Sequence, residues 1–217
     1  MKHFYILSGL AADEQAFLRI DFGKNDVHFL KWIQPQKNES IESYACRLSG
    51  GITHKDPVLV GLSFGGMMCI EIAKQITTSG VIIISSIKTY KEMPRWMRLA
   101  GAFRLNRIFP MKPFKFLEPF GNYNLGVKNK EEKLMVNAYR RNVDRRYLEW
   151  AIDVILNWKN TRLPPKIFHI HGSSDRIFNM KKIKCDYRVE NAGHMMVFDR
   201  SEDVNKCLNE ILLKLAC

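Results

Sequence analysis

The sequence has 217 residues, of which 46% are hydrophobic and 11% are aromatic. This composition supplies a full core, excludes a mainly disordered chain and predicts one globular domain, with or without a small insertion. Lys and Arg outnumber Asp and Glu by 34 to 22, a net charge of +12, and no apolar run approaches the ~20 residues that span a bilayer.

Six short apolar runs, rich in β-branched residues and bounded by turn residues, predict strands buried on both faces. They are His3–Leu7, Val27–Trp32, Val58–Leu62, Val81–Ser85, Lys166–His171 and Asp186–Glu190.

Helical spacing appears between these runs. Ser40 can cap a helix that runs to about Leu48 before Gly50-Gly51, and a second helix follows Gly65-Gly66. A third runs from about Ser201, a candidate N-cap, to Leu215. Strands that alternate with helices predict an α/β fold with a mostly parallel sheet of about six strands, flanked by helices.

The stretch Lys88–Asn160 breaks this alternation. It reads as several helices and holds 16 Lys and Arg against 7 Asp and Glu, which is +9 of the net charge. We therefore predict a core formed by residues 1–87 and 161–217 and an inserted helical cap at 88–160.

The five cysteines are odd in number and scattered along the chain, unlike a disulfide framework or a metal knuckle. The apolar stretch after Met1-Lys2-His3 is brief and is interrupted by Ser8 and Gly9, which favours a strand over a signal peptide. Reduced thiols and a cytoplasmic location are expected.

The sharpest local motif is Gly61-Leu62-Ser63-Phe64-Gly65, a G-x-S-x-G between a predicted strand and a predicted helix. A nucleophilic serine needs a sharp strand-to-helix turn, which Gly61 and Gly65 permit. The N-terminus of the next helix offers unpaired N–H groups to a developing oxyanion. The alternative is a plain glycine turn.

A serine nucleophile also needs a base and an acid. Asp175 follows the strand Lys166–His171, and His194 follows the strand Asp186–Glu190. Carboxyl ends of parallel strands meet at one edge of the sheet, so His194 can take the proton of Ser63 while Asp175 orients the imidazole. Taken singly, Asp175 is an ordinary turn residue and His194 an ordinary loop histidine.

These residues, in the order Ser63, Asp175, His194, resemble the α/β-hydrolases, and the resemblance covers nearly the whole chain. It implies these three as nucleophile, acid and base, with the backbone N–H groups of Phe64 and Leu10 as the oxyanion hole. It also places a helical cap where Lys88–Asn160 lies.

Two departures from the family pattern stand out. Many relatives have His-Gly where this chain has Ser8-Gly9, which weakens the assignment of the oxyanion loop. The family's usual first two strands have no counterpart, which implies a minimal sheet.

The sequence gives less support to a metal site or a nucleic-acid interface. His169 and His171 share one face of a strand, as metal ligands can, but no third ligand accompanies them, and the resemblance makes His171 structural. We expect neither a metal nor an organic cofactor. The basic residues of Tyr139-Arg140-Arg141 and Arg145-Arg146 are interleaved with acids and lack a reading motif, so no nucleic-acid partner is expected.

Between Met93 and Phe120, Met and Phe alternate with cations. The segment predicts amphipathic helices, with a hydrophobic acyl pocket and attraction for an anionic group as the functional alternative. Docking on anionic lipid is a lesser alternative.

The resulting hypothesis is a serine hydrolase of a small-molecule carboxylic ester or thioester. A carbon–carbon bond hydrolase or perhydrolase with the same triad, and a non-catalytic sensor of a ligand or membrane, stay open, as does the oligomeric state.

Overall fold

The computed structural model of the protein describes residues 1–105 and 118–216. Its strands are β1 (His3–Leu7), β2 (Asp26–Phe29), β3 (Val58–Leu62), β4 (Gly80–Ile84), β5 (Ile167–Gly172) and β6 (Tyr187–Val189). Its α-helices are α1 (Ile41–Ser49), α2 (Phe64–Ala73), α3 (Arg95–Ala102), α4 (Glu118–Leu125), α5 (Lys130–Asn142), α6 (Arg145–Leu156), α7 (Met196–Asp199) and α8 (Ser201–Ala216). Short 3₁₀ helices lie at Glu14–Phe17 and Met180–Lys182.

The six strands form one parallel sheet in the order β2-β1-β3-β4-β5-β6. The predicted α/β class and the six-stranded parallel sheet are confirmed. In such a sheet all carboxyl ends lie at one edge, here called the carboxyl edge, and all amino ends at the other, the amino edge. β3 and β4 lie at its centre and are fully buried, as their unbroken apolar sequences predict.

Each face of the sheet covers its own hydrophobic core. On β1, Tyr5 and Leu7 point to the core shared with α1 and α2, while Phe4 and Ile6 point to the core shared with α8. This alternation follows from the two-residue period of a strand. Because both faces of the sheet pack against a hydrophobic core, the strand ends that carry side chains at either edge are held in place.

Element boundaries follow local chemistry in most places. The Ser40 hydroxyl accepts from the Ser43 N–H and begins α1 as predicted. Ser201 differs, because it is the first residue of α8 rather than its cap. β2 ends at Phe29 rather than Trp32: the Leu30 N–H makes a last bond to the Ile6 carbonyl, and the chain then leaves the sheet as the Trp32 indole donates to Ser8.

The segment between β4 and β5 holds α3, α4, α5 and α6. Helix α6 packs into the same core as α1 and α2 through Tyr147, Ala151 and Ile155. Trp158 anchors the end of the segment, because its indole N–H donates to the buried Glu71 of α2 at 2.7 Å. The division into core and cap stays a prediction.

The aromatic run predicted near this segment is described only in part. Met93 is fully buried in the core, whereas Trp96, Phe103 and Phe120 are more than 60% exposed. Its stretch 106–117, which includes Ile108, Phe109, Met111, Phe114 and Phe116, lies outside the described residues. No helix within residues 1–105 and 118–216 combines the length and the apolar character needed to cross a membrane.

Candidate active site

Ser63 is the single residue between the end of β3 and the start of α2, and its backbone angles are φ 53° and ψ −116°. This is a left-handed backbone conformation that non-glycine residues adopt at a cost of order 1–3 kcal/mol, and such strain concentrates at functional sites. It aims the hydroxyl away from the helix and toward the carboxyl edge. The G-x-S-x-G turn predicted from the sequence therefore has a sharp, strained backbone at Ser63.

The glycines of the motif are required by close packing. A Cβ on Gly61 would lie 2.3 Å from the Gly65 carbonyl carbon, and a Cβ on Gly65 would lie 2.4 Å from the carbonyl oxygens of Leu7 and Ser8. No side chain fits at these distances. The two glycines let α2 begin directly against the end of β1, which brings the loop after β1 beside Ser63.

The structure brings Ser63, His194 and Asp175 into one hydrogen-bonded line. His194 Nδ1 donates to Asp175 Oδ2 at 2.8 Å, and His194 Nε2 lies 2.9 Å from Ser63 Oγ. Because the carboxylate can only accept, the proton of the neutral imidazole sits on Nδ1, and Nε2 is left to accept from the serine hydroxyl. The three residues lie in three separate turns at the carboxyl edge, and Ser63 and His194 are 131 positions apart in the sequence.

Asp175 is held as an ionised, oriented carboxylate. It is 2% exposed, and its Oδ1 accepts from the Ile177 and Phe178 N–H groups at 2.8 and 2.9 Å. Burial alone would raise the pKa of Asp175, but the neighbouring His194 and these hydrogen bonds outweigh it, and the net effect lowers the pKa. The carboxylate therefore stays charged opposite His194 at neutral pH.

Behind Asp175 lies a second pair of imidazoles on β5. His171 Nε2 donates to the Phe178 carbonyl at 2.8 Å, so its Nδ1 must accept from His169 Nε2 at 3.1 Å. Burial lowers the pKa of His171 and lowers that of His169 further, so both rings are neutral. Three of their four ring nitrogens are in these bonds, and the contact at Phe178 fixes the turn whose N–H groups hold Asp175. The interpretation of His171 as structural agrees with this arrangement.

The loop after β1 lies on the other side of Ser63. Its predicted oxyanion residue, Leu10, occupies a turn in which the Ala12 N–H donates to the Gly9 carbonyl at 3.1 Å. A Cβ on Gly9 would lie 3.6 Å from the Cβ of Ser63, which places this loop in contact with Ser63. Phe64, the second predicted oxyanion residue, begins α2.

Ser8 holds this loop in a way that the sequence did not reveal. Its hydroxyl donates to the Ala12 carbonyl at 2.6 Å and accepts from the Trp32 indole at 3.1 Å. Trp32 in turn stacks on Phe64, with ring centroids 5.1 Å apart. No local pattern connects Ser8 with a tryptophan 24 positions away; the pairing arises only because β1 and β2 are neighbours.

A small cleft of about 230 Å³ opens beside this loop. Ala11 and Ala12 form one wall, and Trp32 and Tyr147 contribute aromatic surface to it. Next to Asp175 in the chain, the Arg176 guanidinium lies 3.8 Å from the centre of the Tyr123 ring and also donates to the Tyr123 carbonyl. Helix α4 is thereby tied to the turn that carries Asp175, so the segment between β4 and β5 borders the site.

Comparisons with known proteins agree with this geometry at the level of the family. A model of the alpha/beta hydrolase family matches residues 27–206. No curated protein matches the sequence.

Solved structures with the same fold include a thermophilic esterase from Thermogutta terrifontis (TM-score 0.74, 16% identity, covering 99% of this chain and 90% of that one). A putative lipase from Acinetobacter baumannii has a TM-score of 0.68 at 18% identity, over 99% of this chain and 84% of that one. An epoxide hydrolase from Bacillus megaterium has a TM-score of 0.68 at 14% identity, over 98% and 93%. At these identities the likeness shows the fold, and the family model, which spans most of the sequence, shows that the chain belongs to the alpha/beta hydrolase family.

Proposed function

We propose that the protein is a serine hydrolase that cleaves a carboxylic ester or thioester through an acyl-enzyme on Ser63. The observation that carries this proposal is the hydrogen-bonded line from Ser63 Oγ through His194 to Asp175. Ser63 stands on a strained turn, and the charge of Asp175 is fixed by two backbone N–H groups. A protein that only binds a ligand has no use for such a nucleophile.

In the first half-reaction Ser63 Oγ attacks the carbonyl carbon of the substrate. His194 Nε2 takes the hydroxyl proton as the Oγ–C bond forms, and the imidazolium is stabilised by the Asp175 carboxylate. The tetrahedral intermediate then collapses: the bond to the leaving oxygen or sulfur breaks, and that atom receives the proton from His194. The products are an acyl ester on Ser63 and a free alcohol or thiol.

In the second half-reaction water replaces the leaving group. His194 Nε2 takes one proton of the water while its oxygen bonds to the acyl carbon. Collapse breaks the bond to Ser63 Oγ, which regains the proton from His194, and the carboxylic acid leaves. The enzyme returns to its starting state.

In this proposal, backbone N–H groups stabilise the negative charge that develops on the substrate's carbonyl oxygen in the tetrahedral intermediate. The Phe64 N–H at the start of α2 is one donor, aided by the positive end of the helix dipole, and the Leu10 N–H is the other. The hydrogen bonds of Ser8 to Ala12 and Trp32 keep the Leu10 turn in place.

The cleft beside the loop supports a small acyl group. Its volume of about 230 Å³ lies below the ~300–1,000 Å³ that drug-sized ligands occupy. Its apolar surface, from Trp32, Ile33 and Tyr147, suits a short hydrophobic chain, and Gln34 and Asp144 add polar groups to the lining. The net charge of +9 on residues 88–160 would raise the local concentration of anionic substrates.

Active-site labelling tests the proposal. Purified protein is treated with a fluorophosphonate and followed by intact mass and peptide mapping, beside the variants Ser63→Ala and Ser174→Ala. Ser174 is an exposed serine next to Asp175 and serves as the matched control. We expect one label per chain, on Ser63, retained in Ser174→Ala and lost in Ser63→Ala. Folded wild-type protein that takes no label would contradict the proposal and favour a non-catalytic binder.

A substrate panel then separates the remaining activities. Esters and thioesters of acyl chains from two to sixteen carbons are compared with a carbon–carbon cleavage substrate and a peroxide-dependent perhydrolysis assay. We expect ester or thioester turnover that falls steeply as the chain outgrows the cleft. Equal rates at all chain lengths would show that the acyl chain does not bind in the cleft. Turnover of the carbon–carbon substrate alone would show that the enzyme is a carbon–carbon bond hydrolase and not an esterase or thioesterase.

A further inference from the structure

A second group of chemically active side chains lies at the amino edge of the sheet. His3, Asp26, His28 and His54 each offer a ligand atom, and all four atoms lie within 4.8 Å of one another. Three of the six histidines of the chain are gathered here, and the other three are those already described at the carboxyl edge. The group has no part in the proposed hydrolysis, because a strand of five residues, about 16 Å at ~3.3 Å per residue, separates it from the loop at Ser63.

The parallel pairing of β1 and β2 creates the group. His3 is paired with Asp26 and Tyr5 with His28, so side chains two residues apart on each strand emerge on the same face. His54 arrives from the loop between α1 and β3. Each of the four is half-buried, with the side chains of His3, His28 and Asp26 30%, 31% and 43% exposed.

The spacing within this group suits metal coordination, and one of its contacts, from His3 Nδ1 to Asp26 Oδ2, is also a hydrogen bond. Asp26 Oδ2 lies 3.1 Å from His3 Nδ1 and 3.0 Å from His28 Nε2. Ligands at the corners of a tetrahedral zinc site with bonds of 2.0–2.1 Å lie about 3.3 Å apart. His28 Nε2 is buried from solvent, yet its contact with Asp26 lacks hydrogen-bond geometry, so this nitrogen has no hydrogen-bond partner among residues 1–105 and 118–216.

His54 completes the set through a buried tyrosine. The Tyr5 hydroxyl, which accepts from the Thr53 N–H, lies 2.7 Å from His54 Nδ1. That contact leaves His54 Nε2 as the nitrogen available to an ion, and an outer hydrogen bond of this kind orients metal-bound imidazoles. The ring of His54 stacks on His3 at 3.5 Å and must tilt to bring both nitrogens onto one ion.

We propose that His3, Asp26, His28 and His54 form a binding site for a zinc ion at the amino edge of the sheet. Three imidazoles and one carboxylate are ligands that zinc favours, and four protein ligands make a closed, structural site without an open position for catalysis. The ion ties β1, β2 and the loop before β3 together. Bound to the folded chain only, it stabilises the fold.

Zinc titration of the metal-free protein tests this inference. The full chain is stripped with EDTA, exchanged into buffer at pH 7.5 and titrated with zinc by calorimetry. Wild-type protein should bind one equivalent, and His28→Gln and His54→Ala should each weaken binding by at least tenfold. Cys46→Ser, which removes an exposed thiol outside the group, and His194→Ala, which removes a histidine at the other edge, should retain the wild-type affinity.

Two further readouts keep the result decisive. Cobalt(II) in place of zinc should give the intense visible bands of a tetrahedral nitrogen and oxygen site, without the thiolate charge-transfer band that cysteine ligands produce. Zinc should raise the Tm of wild type and Cys46→Ser but not of His54→Ala, whose Tm in EDTA reports that it still folds. The inference is overturned if wild-type protein binds no zinc, or if affinity survives both histidine substitutions.

Discussion

The two edges of this sheet carry similar side chains, imidazoles and a carboxylate, but the two groups differ in how fully their hydrogen bonds are made. At the carboxyl edge, each Asp175 oxygen has its hydrogen-bond donors, and the His194 nitrogens face Asp175 and Ser63. At the amino edge, one Asp26 oxygen is hydrogen-bonded to His3 and also lies 3.0 Å from His28 Nε2, which has no hydrogen-bond partner in the part of the chain that the structure describes.

This contrast teaches how surroundings set the role of the same chemical groups. A carboxylate and an imidazole that satisfy each other and point at a hydroxyl form a proton relay. Imidazoles that converge on a carboxylate without satisfying one another leave lone pairs for a cation. In the function proposed above, the first group needs nothing from outside the chain until substrate binds, and in the proposed zinc site the second group is completed by an ion.

The largest expected effect comes from breaking the relay at its buried end. In Asp175→Asn the amide can donate to His194 Nδ1 and trap the wrong tautomer, so Nε2 no longer accepts the serine proton. We expect kcat for the best ester of the panel to fall by about 10⁴ with the fold intact. Asp203→Asn, the same substitution on the surface of α8, should change kcat less than twofold. A loss under tenfold in Asp175→Asn would show that the relay does not limit turnover.

The next effect measures how tightly the carboxyl edge is packed. An alanine Cβ at Gly65 would lie 2.4 Å from two carbonyl oxygens at the end of β1. Relief requires α2 and β1 to move apart, and we expect the free energy of unfolding in urea to drop by about 1–3 kcal/mol.

Gly50→Ala is the matched control at the other edge. Gly50 has a φ of −59° and 3.2 Å to its nearest neighbour. The substitution there should change the unfolding free energy by less than about 1 kcal/mol. Equal losses in the two variants would remove the packing argument for the elbow.

The pH dependence of stability sharpens the comparison further. Burial lowers the pKa of both His169 and His171 below the ordinary value of 6.5, so in this range the unfolded chain binds protons that the folded chain does not. The stabilisation is present above pH 6.5 and is lost as the pH falls from 6.5 toward the lowered pKa values. We expect the unfolding free energy to fall by about 1–3 kcal/mol between pH 7.5 and 5.5.

Urea denaturation at several pH values checks this expectation. Burial also lowers the pKa of His54, which adds a contribution of the same sign from the amino edge. His169→Gln removes one buried imidazole and should flatten the profile, whereas His54→Gln should flatten it less. A profile that is unchanged in His169→Gln would mean that the β5 pair does not resist protonation.

The smallest effect is expected at the amino edge without metal. Asp26 is 43% exposed, and ion pairs at such positions contribute about 0–1 kcal/mol. In EDTA, Asp26→Asn should therefore change the unfolding free energy by less than about 1 kcal/mol, measured by urea denaturation beside wild type. A loss above about 2 kcal/mol would make this group a structural contact in its own right and not a site that waits for an ion.

Much of the fold was predictable because its signals are local. The apolar runs, the helix begun by Ser40 and the alternation of strands with helices follow from short-range pattern, and they imply a parallel sheet. β2 was predicted too long, since Trp32 leaves the sheet for a contact with Ser8 that no local pattern encodes.

The candidate site divides in the same way. The order Ser63, Asp175, His194, each after a strand, was visible in the sequence, because the carboxyl ends of parallel strands must share an edge. Their roles in catalysis remain predictions, while their hydrogen bonds are features of the structure. The link from Ser8 to Trp32 and the chain from His169 to Phe178 depend on which strands and turns become neighbours.

The amino-edge group shows most clearly what only the tertiary structure decided. His3, Asp26, His28 and His54 are scattered over 52 positions, with no spacing typical of a metal motif. Their meeting depends on β2 pairing with β1 in one register, since a slip of one residue would turn Asp26 and His28 to the opposite face. The sequence by itself determined most of the elements, the G-x-S-x-G turn and the edge at which Ser63 lies, because those follow from local chemistry and chain direction. The strand register and the contacts between distant segments, which form only when the sheet packs between its two cores, decided which side chains meet at each edge.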